Sequence, residues 1–596
     1  MTLRTKVITL GLLLAAMSAV ALIDRVAIDW YPPAGTALEG RAVAYAPGDI
    51  RDCIGARAFS SLGDATSTRL WNACAASFAR TGSLAGFTWR YWTLVASCAL
   101  VLVSLLGFAF ALHSDRASAR VLRGRRLLTG DEAHRAFLRS SRAEYRQSGA
   151  GLELLPGLAV SRDRESRHWL IWGSVGAGKT QTMLHLILAA IARGDGVLVL
   201  DVKGDMTAGL PGEPLLLAPQ DYRSLVWDVA RDCRTKQDAR ELAARLIPKS
   251  DDPMWSDAAR DILVVCVAAL QATRGERWSW SDLHAIATSD AETLLGLARS
   301  HHVDAVRLLE NPDSRTTQSV LSTFQAHMHV VATLADAWRA SANGGFSISD
   351  WLKKPAPFRP VILQHDGRYP ELSSAWIGGM LALLASAVGS PSLAESRERR
   401  IWIFADEFPQ LPRLEHFSTF LDLGRSKGVI TVIGAQDIAQ LRATYGHERA
   451  DAWVGMIGTK IITRINAGRG AEEASALIGD QEIERVERSE TVVGGKSSVT
   501  MTRRREIRRV VTASEIATRL GPRRDGIALL LLGLGDDVLE LTVPYVTLSQ
   551  RRPGHVPALW SVASAATATH TDKPTKLHVV TPLSKIAARR IREIGE

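Results

Sequence analysis

Residues Gly173 to Thr180, GSVGAGKT, place three glycines, a lysine and a threonine at the spacing G-x-x-x-x-G-K-T. That spacing grips nucleotide phosphates. Glycines at 173, 176 and 178 let the backbone curl so that successive N–H groups face phosphate oxygens. A helix starting at the end of the loop adds partial positive charge from its N-terminus. Gly173, Ser174, Val175, Gly176, Ala177, Gly178, Lys179 and Thr180 are therefore the candidate cofactor-binding residues for ATP. Lys179 is expected to reach the β- and γ-phosphates, and the Thr180 hydroxyl to ligand Mg2+. The plainer alternative is a glycine-rich turn that holds nothing. The apolar run before it and the helix-forming run after it argue for the phosphate site.

The second chemical signal is IWIFADEF, residues 401 to 408. Five apolar residues deliver Asp406 and Glu407 to the end of a strand, where ligands bind in open α/β sheets. Asp406 is placed to hold the metal shell and Glu407 to polarise an attacking water. A kinase needs an acceptor site and a lid, whereas a hydrolase needs a water-orienting group, so the acidic pair favours hydrolysis. Farther on, VITVIGAQD ends another run with Gln436, whose amide can report on the γ-phosphate. Arg425 lies between them in LDLGRSKGV; it is either a finger completing a neighbour's site or a plain basic loop residue.

These residues need a scaffold. Apolar runs at HWLIWG, GVLVLD (196–201), PVILQ (360–364), IWIFAD (401–406), VITVIGAQ (429–436) and KIITRI (460–465) suit parallel strands buried on both faces. Helical stretches alternate with them, which makes an α/β domain. From about 235 to 345 the pattern is helical and largely strand-free, as an all-α insertion would be. Past 546 the chain is rich in Ala, Ser, Thr and Pro and reads as a flexible tail, with a short basic helix near 583 to 593.

A chain of 596 residues is too long for one core. Lys and Arg outnumber Asp and Glu, 72 to 62, which suits a phosphate backbone or an anionic membrane face. Residues 7 to 23 and 93 to 112 carry no charge; the second can cross a bilayer and the first just can. Arg4 and Lys6 precede the first, and Arg116, Arg120, Arg123, Arg125 and Arg126 follow the second, so both outer ends belong in the cytoplasm. Ala19-Val20-Ala21 leaves open that the first segment is a cleaved signal peptide. The loop 24 to 92 then lies outside the cytoplasm. Its Cys53 and Cys74 either pair as a disulfide or remain two thiols.

Together these segments resemble the TraD-type conjugative coupling proteins, the hexameric ATPases of type IV secretion systems. The resemblance rests on GSVGAGKTQ, LDVKGD (200–205), MWSDAARDIL (254–263), FADEFPQLPRL (404–414), GRSKGV (424–429), GAQDIAQLRATYG (434–446) and RRVVTASEIATRL (508–520). It implies a RecA-like P-loop ATPase domain with an inserted all-α domain, preceded by two transmembrane helices. Its boundaries here would be a membrane anchor at 1–112, a basic connector at 113–160 and the nucleotide-binding domain at 161–234 and 346–545. The insertion would span 235–345 and the tail 546–596. It implies a homo-hexamer at the inner membrane that moves single-stranded DNA with its relaxase into a secretion channel. It also makes Lys179, Glu407, Gln436 and Arg425 catalytic. Asp201, Lys203 and Asp205 fall in the family's D-x-KG-acidic strand end, where they can equally organise the turn.

Other readings remain at this stage. A secretion motor for protein substrates shares every motif, and an FtsK-like double-stranded DNA translocase shares the anchor and motor. The latter predicts a C-terminal winged helix, which the tail does not suggest. A receptor that binds nucleotide without hydrolysing it conflicts with intact Lys179, Glu407 and Gln436. The arginines of VTMTRRREIRRVV (499–511) either contact DNA phosphates or form the solvated side of a β-hairpin, and the hairpin is favoured.

Overall fold

Six short runs of β-branched, aliphatic and aromatic residues form the middle of an eleven-stranded sheet. The computed structural model describes residues 45–114, 120–339, 344–354, 356–411, 413–414, 416–493 and 496–562. They fall into two compact units, the described residues up to 122 with 482–506 in one and 123–481 with those from 507 to 562 in the other. The first apolar segment, 7 to 23, and the basic helix near 583 to 593 lie outside the described residues.

The larger unit holds the main sheet. Its strands in chain order are β1 Leu127–Leu128, β2 Trp169–Trp172, β3 Gly196–Asp201, β4 Leu215–Leu217, β5 Val361–Gln364, β6 Ile401–Ala405, β7 Val429–Ala435, β8 Thr459–Ile462, β9 Gly521–Arg523, β10 Gly526–Leu532 and β11 Val538–Val543. Across the sheet they run β1-β11-β10-β8-β2-β7-β6-β3-β5-β4, with β9 on β10. From β8 to β4 every neighbour is parallel, and β10 pairs antiparallel with β8, β9 and β11. Side chains alternate between two apolar layers, as a strand's period of two requires. Val197, Val199, Trp402 and Phe404 meet Met183, Leu186 and Ile187 of the helix Lys179–Arg193 on one face. Leu198, Leu200, Ile401 and Ile403 face the other layer, with Trp376, Ile377 and Leu384 of the helix Pro370–Gly389. That helix is long and apolar enough to cross a membrane, but 78% of it is buried, which makes it a core helix.

Helices alone occupy Lys236–Ala337, from Lys236–Leu246 through Pro253–Arg274 to Arg315–Ala337. Capping boxes at Thr235 with Asp238 and at Ser279 with Asp282 start two of them. Both ends of this helical region meet at Asp232. Its buried carboxylate accepts from Trp227 Nε1 at 2.8 Å, Ser347 Oγ at 2.7 Å, Ile348 N at 3.0 Å and Ser349 N at 2.9 Å.

The basic connector is helical at Gly130–Ser148, where Ala133 and Phe137 are buried, and Leu127 and Leu128 ahead of it pair with β11. The start of the expected tail is a strap rather than a free linker. Val546 N donates to Gln181 Oε1 at 2.8 Å, and Arg552 donates to the carbonyls of Thr207, Leu210 and Gly212. Trp560 Nε1 closes the strap on the Pro219 carbonyl at 2.7 Å.

The smaller unit contains the helices Pro47–Ser60, Ala65–Arg80 and Leu84–Ser114. Within the last, Leu84–Val103 has mean hydropathy 1.3 and is long and apolar enough to cross a membrane. Cys53 and Cys74 form a disulfide, which settles the alternative left by the sequence. Ile50, Phe78 and Phe87 pack beside it. Most of a three-stranded sheet also belongs to this unit, in the order Arg120–Gly124, Asp480–Val493, Lys496–Arg509. The arginine-rich run at 499 to 511 thus lies largely on a β-hairpin strand.

Candidate active site

The loop from Gly173 to Gly178 leaves the C-terminal end of β2 and turns into the helix Lys179–Arg193. Its base is tied to both neighbours: Gly173 N donates to Ala435 O of β7, and Ser174 N to Arg464 O just past β8. A Cβ at Gly173 would overlap Thr463 Oγ1, so this position needs a glycine for close approach. Gly176 and Gly178 have φ of 69° and 94°, the left-handed region where glycine carries no steric penalty. Among the described residues, the N–H groups of Val175, Gly176 and Gly178 donate to no backbone carbonyl outside regular elements. Such a cradle of amides is what an anion requires. Lys179 is buried at its rim, and its Nζ donates to Ser174 O at 3.2 Å.

β6 brings the acidic pair to the same edge. Asp406 Oδ2 accepts from Thr180 Oγ1 at 2.5 Å, which fixes the strand end against the first turn of the helix. Burial pushes the Asp406 carboxyl above its ordinary value, opposed by the Thr180 hydrogen bond and the Lys179 charge. Burial likewise lowers the Lys179 ammonium, opposed by Asp406 and Glu407. A buried lysine among carboxylates, beside a hydroxyl and open amides, suits a phosphate chain with a divalent cation.

Glu407 follows with φ 56° and ψ 43°, a left-handed conformation that a residue with a Cβ holds only when its surroundings impose it. Its Oε1 accepts from Lys203 Nζ at 2.9 Å. That hydrogen bond raises the Lys203 pKa above its ordinary value. Asp201, at the end of β3, builds the turn carrying Lys203. Its Oδ1 accepts from Lys203 N and Gly204 N, and its Oδ2 from Thr207 N and Oγ1.

Lys179, Thr180, Asp406, Glu407 and Gln436 all lie at one edge of the sheet. Gln436 follows Ala435, which pairs with Trp172. Arg425 does not join them. It precedes β7, at the opposite edge, and its Nη2 donates to Asp163 Oδ1 at 2.8 Å. Lys203 is the contact that motif reading lacks a role for. The signal is the neighbouring of β3 and β6, whose register sets Ala405 opposite Leu200 and so brings the two strand ends together.

The family model described as the type IV secretion-system coupling protein DNA-binding domain matches residues 153–544. The coupling protein TraD of Escherichia coli (strain K12) is 27% identical over 389 residues, 61% of this chain and 50% of its own length. The chain thus spans about half the length of that curated relative. Among solved structures, the unbound bacterial conjugative coupling protein TrwBdeltaN70 matches with a TM-score of 0.58 and 23% identity, over 73% of this chain and 96% of its own. The plasmid coupling protein TrwB in complex with ADP and Mg2+ matches with a TM-score of 0.58 and 23% identity, over 74% and 98%. At that identity the likeness establishes the fold.

Proposed function

The chain belongs to the type IV secretion-system coupling-protein family, and on that premise we propose that it is a membrane-anchored ATP hydrolase that moves single-stranded DNA during conjugation. Its partners in this reading are the relaxase on that DNA, the secretion channel, the inner membrane and five further copies in a ring. The layout follows the sequence: two transmembrane helices, a RecA-like domain with an all-α insertion, and a cytoplasmic ATPase.

The observation that carries the reading is the convergence of the phosphate loop and the acidic strand end through Thr180 and Asp406. ATP and Mg2+ are the cofactors, and the relative solved with ADP and Mg2+ supports that choice. Thr180 and Asp406 would hold the cation, which when bound offsets phosphate charge. Loop amides and Lys179 bind and orient the phosphates, Glu407 accepts a proton from the attacking water, and Gln436 faces the γ-phosphate. Arg425 serves the site of a neighbouring subunit.

The test is ATP turnover by the full-length protein in detergent, with and without single-stranded DNA. Glu407→Gln should bind ATP and lose turnover, and the parent should turn over faster with DNA. Full turnover by the variant would sink the hydrolytic role; indifference to DNA would move the substrate to protein.

A further inference from the structure

Glu407 is held from one side by Lys203, and neither residue is held loosely. The Lys203 backbone sits in a turn whose amides and hydroxyl converge on Asp201. A second layer braces that turn: Gln364 Nε2 donates to Thr207 Oγ1 at 3.1 Å and to Gly554 O at 2.8 Å. The side chain of Lys203 is 55% exposed, whereas that of Glu407 is 11% exposed. The ammonium therefore reaches inward from a solvated turn to a carboxylate that is mostly enclosed. Lys179 is charged and close, and its Nζ donates to the Ser174 carbonyl at 3.2 Å.

The Glu407 oxygen that meets Lys203 is occupied by the ammonium, so it is not free to accept the hydrogen bond of an attacking water. Glu407 also holds a left-handed backbone conformation that a residue with a Cβ rarely adopts, the strained kind of position that clusters at functional sites. We infer that Lys203 is a positioning residue that restrains Glu407 while the site awaits its polymer, so that the Lys203–Glu407 pair acts as a brake on ATP turnover. The inference rests on the hydrolytic role proposed for Glu407 and adds the regulation of that residue.

The cleft beside Lys203 gives release a route. Lys203 lines a cleft of about 490 Å³ with Thr180, Gln181, Gly204 and Gln550 of the strap. A displacement of the strap or the turn would withdraw the ammonium from Glu407 without touching the phosphate loop.

The experiment measures DNA-free ATP turnover by the full-length protein in detergent for the parent, Lys203→Met, Lys203→Arg and Glu407→Gln. Lys203→Met should raise kcat about two- to fivefold, the factor that corresponds to losing a part-exposed ion pair, with KM for ATP unchanged. It should also narrow the stimulation by single-stranded DNA, and Lys203→Arg should restore the slow basal rate. An equal or lower kcat for Lys203→Met, with ATP binding intact and Glu407→Gln inactive, would overturn the brake and leave the hydrolytic role standing. Turnover by Glu407→Gln at the parent rate would instead remove the hydrolytic role itself, and the brake with it.

Discussion

Thr180 Oγ1 and Asp406 Oδ2, 226 positions apart in the chain, share a hydrogen bond of 2.5 Å at the edge of the parallel sheet. One residue opens the helix after the phosphate loop, and the other ends the strand two places away. Their contact places a hydroxyl and a carboxylate together in a part-buried setting, with a lysine beside them. An acidic group so placed is costly to the empty fold and useful to a cation, which is the usual compromise of a functional site.

That compromise predicts that Asp406→Asn stabilises the empty protein. The folded-state pKa of Asp406 is raised above its ordinary 3.8, so the native chain holds the proton more tightly than the unfolded one. The acid therefore contributes stability below that ordinary value and loses it as pH rises through the raised one. At neutral pH the asparagine should raise the thermal midpoint, with the gain vanishing near pH 3. Mg2+-dependent ATP hydrolysis should be lost. A lower midpoint at pH 7.5 would contradict the assignment.

Gly178→Ala should damage the loop by two routes. The φ of 94° penalises any Cβ, and the added methyl would sit 2.6 Å from Ile527 Cγ2 on β10. A loss of about 2–4 kcal/mol is expected, together with weaker nucleotide binding by calorimetry. A fully bound, fully stable variant would mean that the loop re-forms elsewhere.

Asp232→Ala should loosen the helical region at both ends at once. Four donors lose their buried acceptor, and the expected cost is about 2–4 kcal/mol. Hydrogen exchange should rise at 226–232 and 345–349 before it rises in the central strands. Equal exchange throughout would show that the attachment is made elsewhere.

Replacing Cys53 and Cys74 together by serine removes a bridge that closes a separation of 21 residues. The chain-entropy account gives about 3 kcal/mol for a loop of that size. Limited proteolysis should then cut between the helices Pro47–Ser60 and Ala65–Arg80, while ATP turnover stays at the parent level. Unchanged protease resistance would assign the stability to Phe78 and Phe87 packing alone.

The central strands are legible in the sequence because burial on both faces makes each an unbroken apolar run. The strand Leu215–Leu217 is not, since three residues beside prolines carry no period. β10 and β11 extend the sheet antiparallel after the last run that alternation with helices picks out. The phosphate loop is legible for a different reason: its chemistry depends on spacing within eight residues. Lys203 lies in the local D-x-KG run, but that run does not show its partner. Its role depends on β3 lying next to β6, a neighbourhood joining residues 204 positions apart, which no window along the chain contains. The strap from 546 to 562 is hidden likewise, because its hold combines arginine and backbone hydrogen bonds with scattered apolar contacts at Val546, Leu548 and Trp560 that follow no period.

Arg425 precedes β7 and Gln436 follows it, so the seven residues of that strand separate them by about 20 Å. The same strand that brings Gln436 to the edge of the phosphate loop keeps the arginine at the far end. If this guanidinium meets a γ-phosphate, the phosphate belongs to another copy of the chain. Dilution would then starve each molecule of its neighbour's help, and specific activity would climb with protein concentration before levelling off as assembly completes.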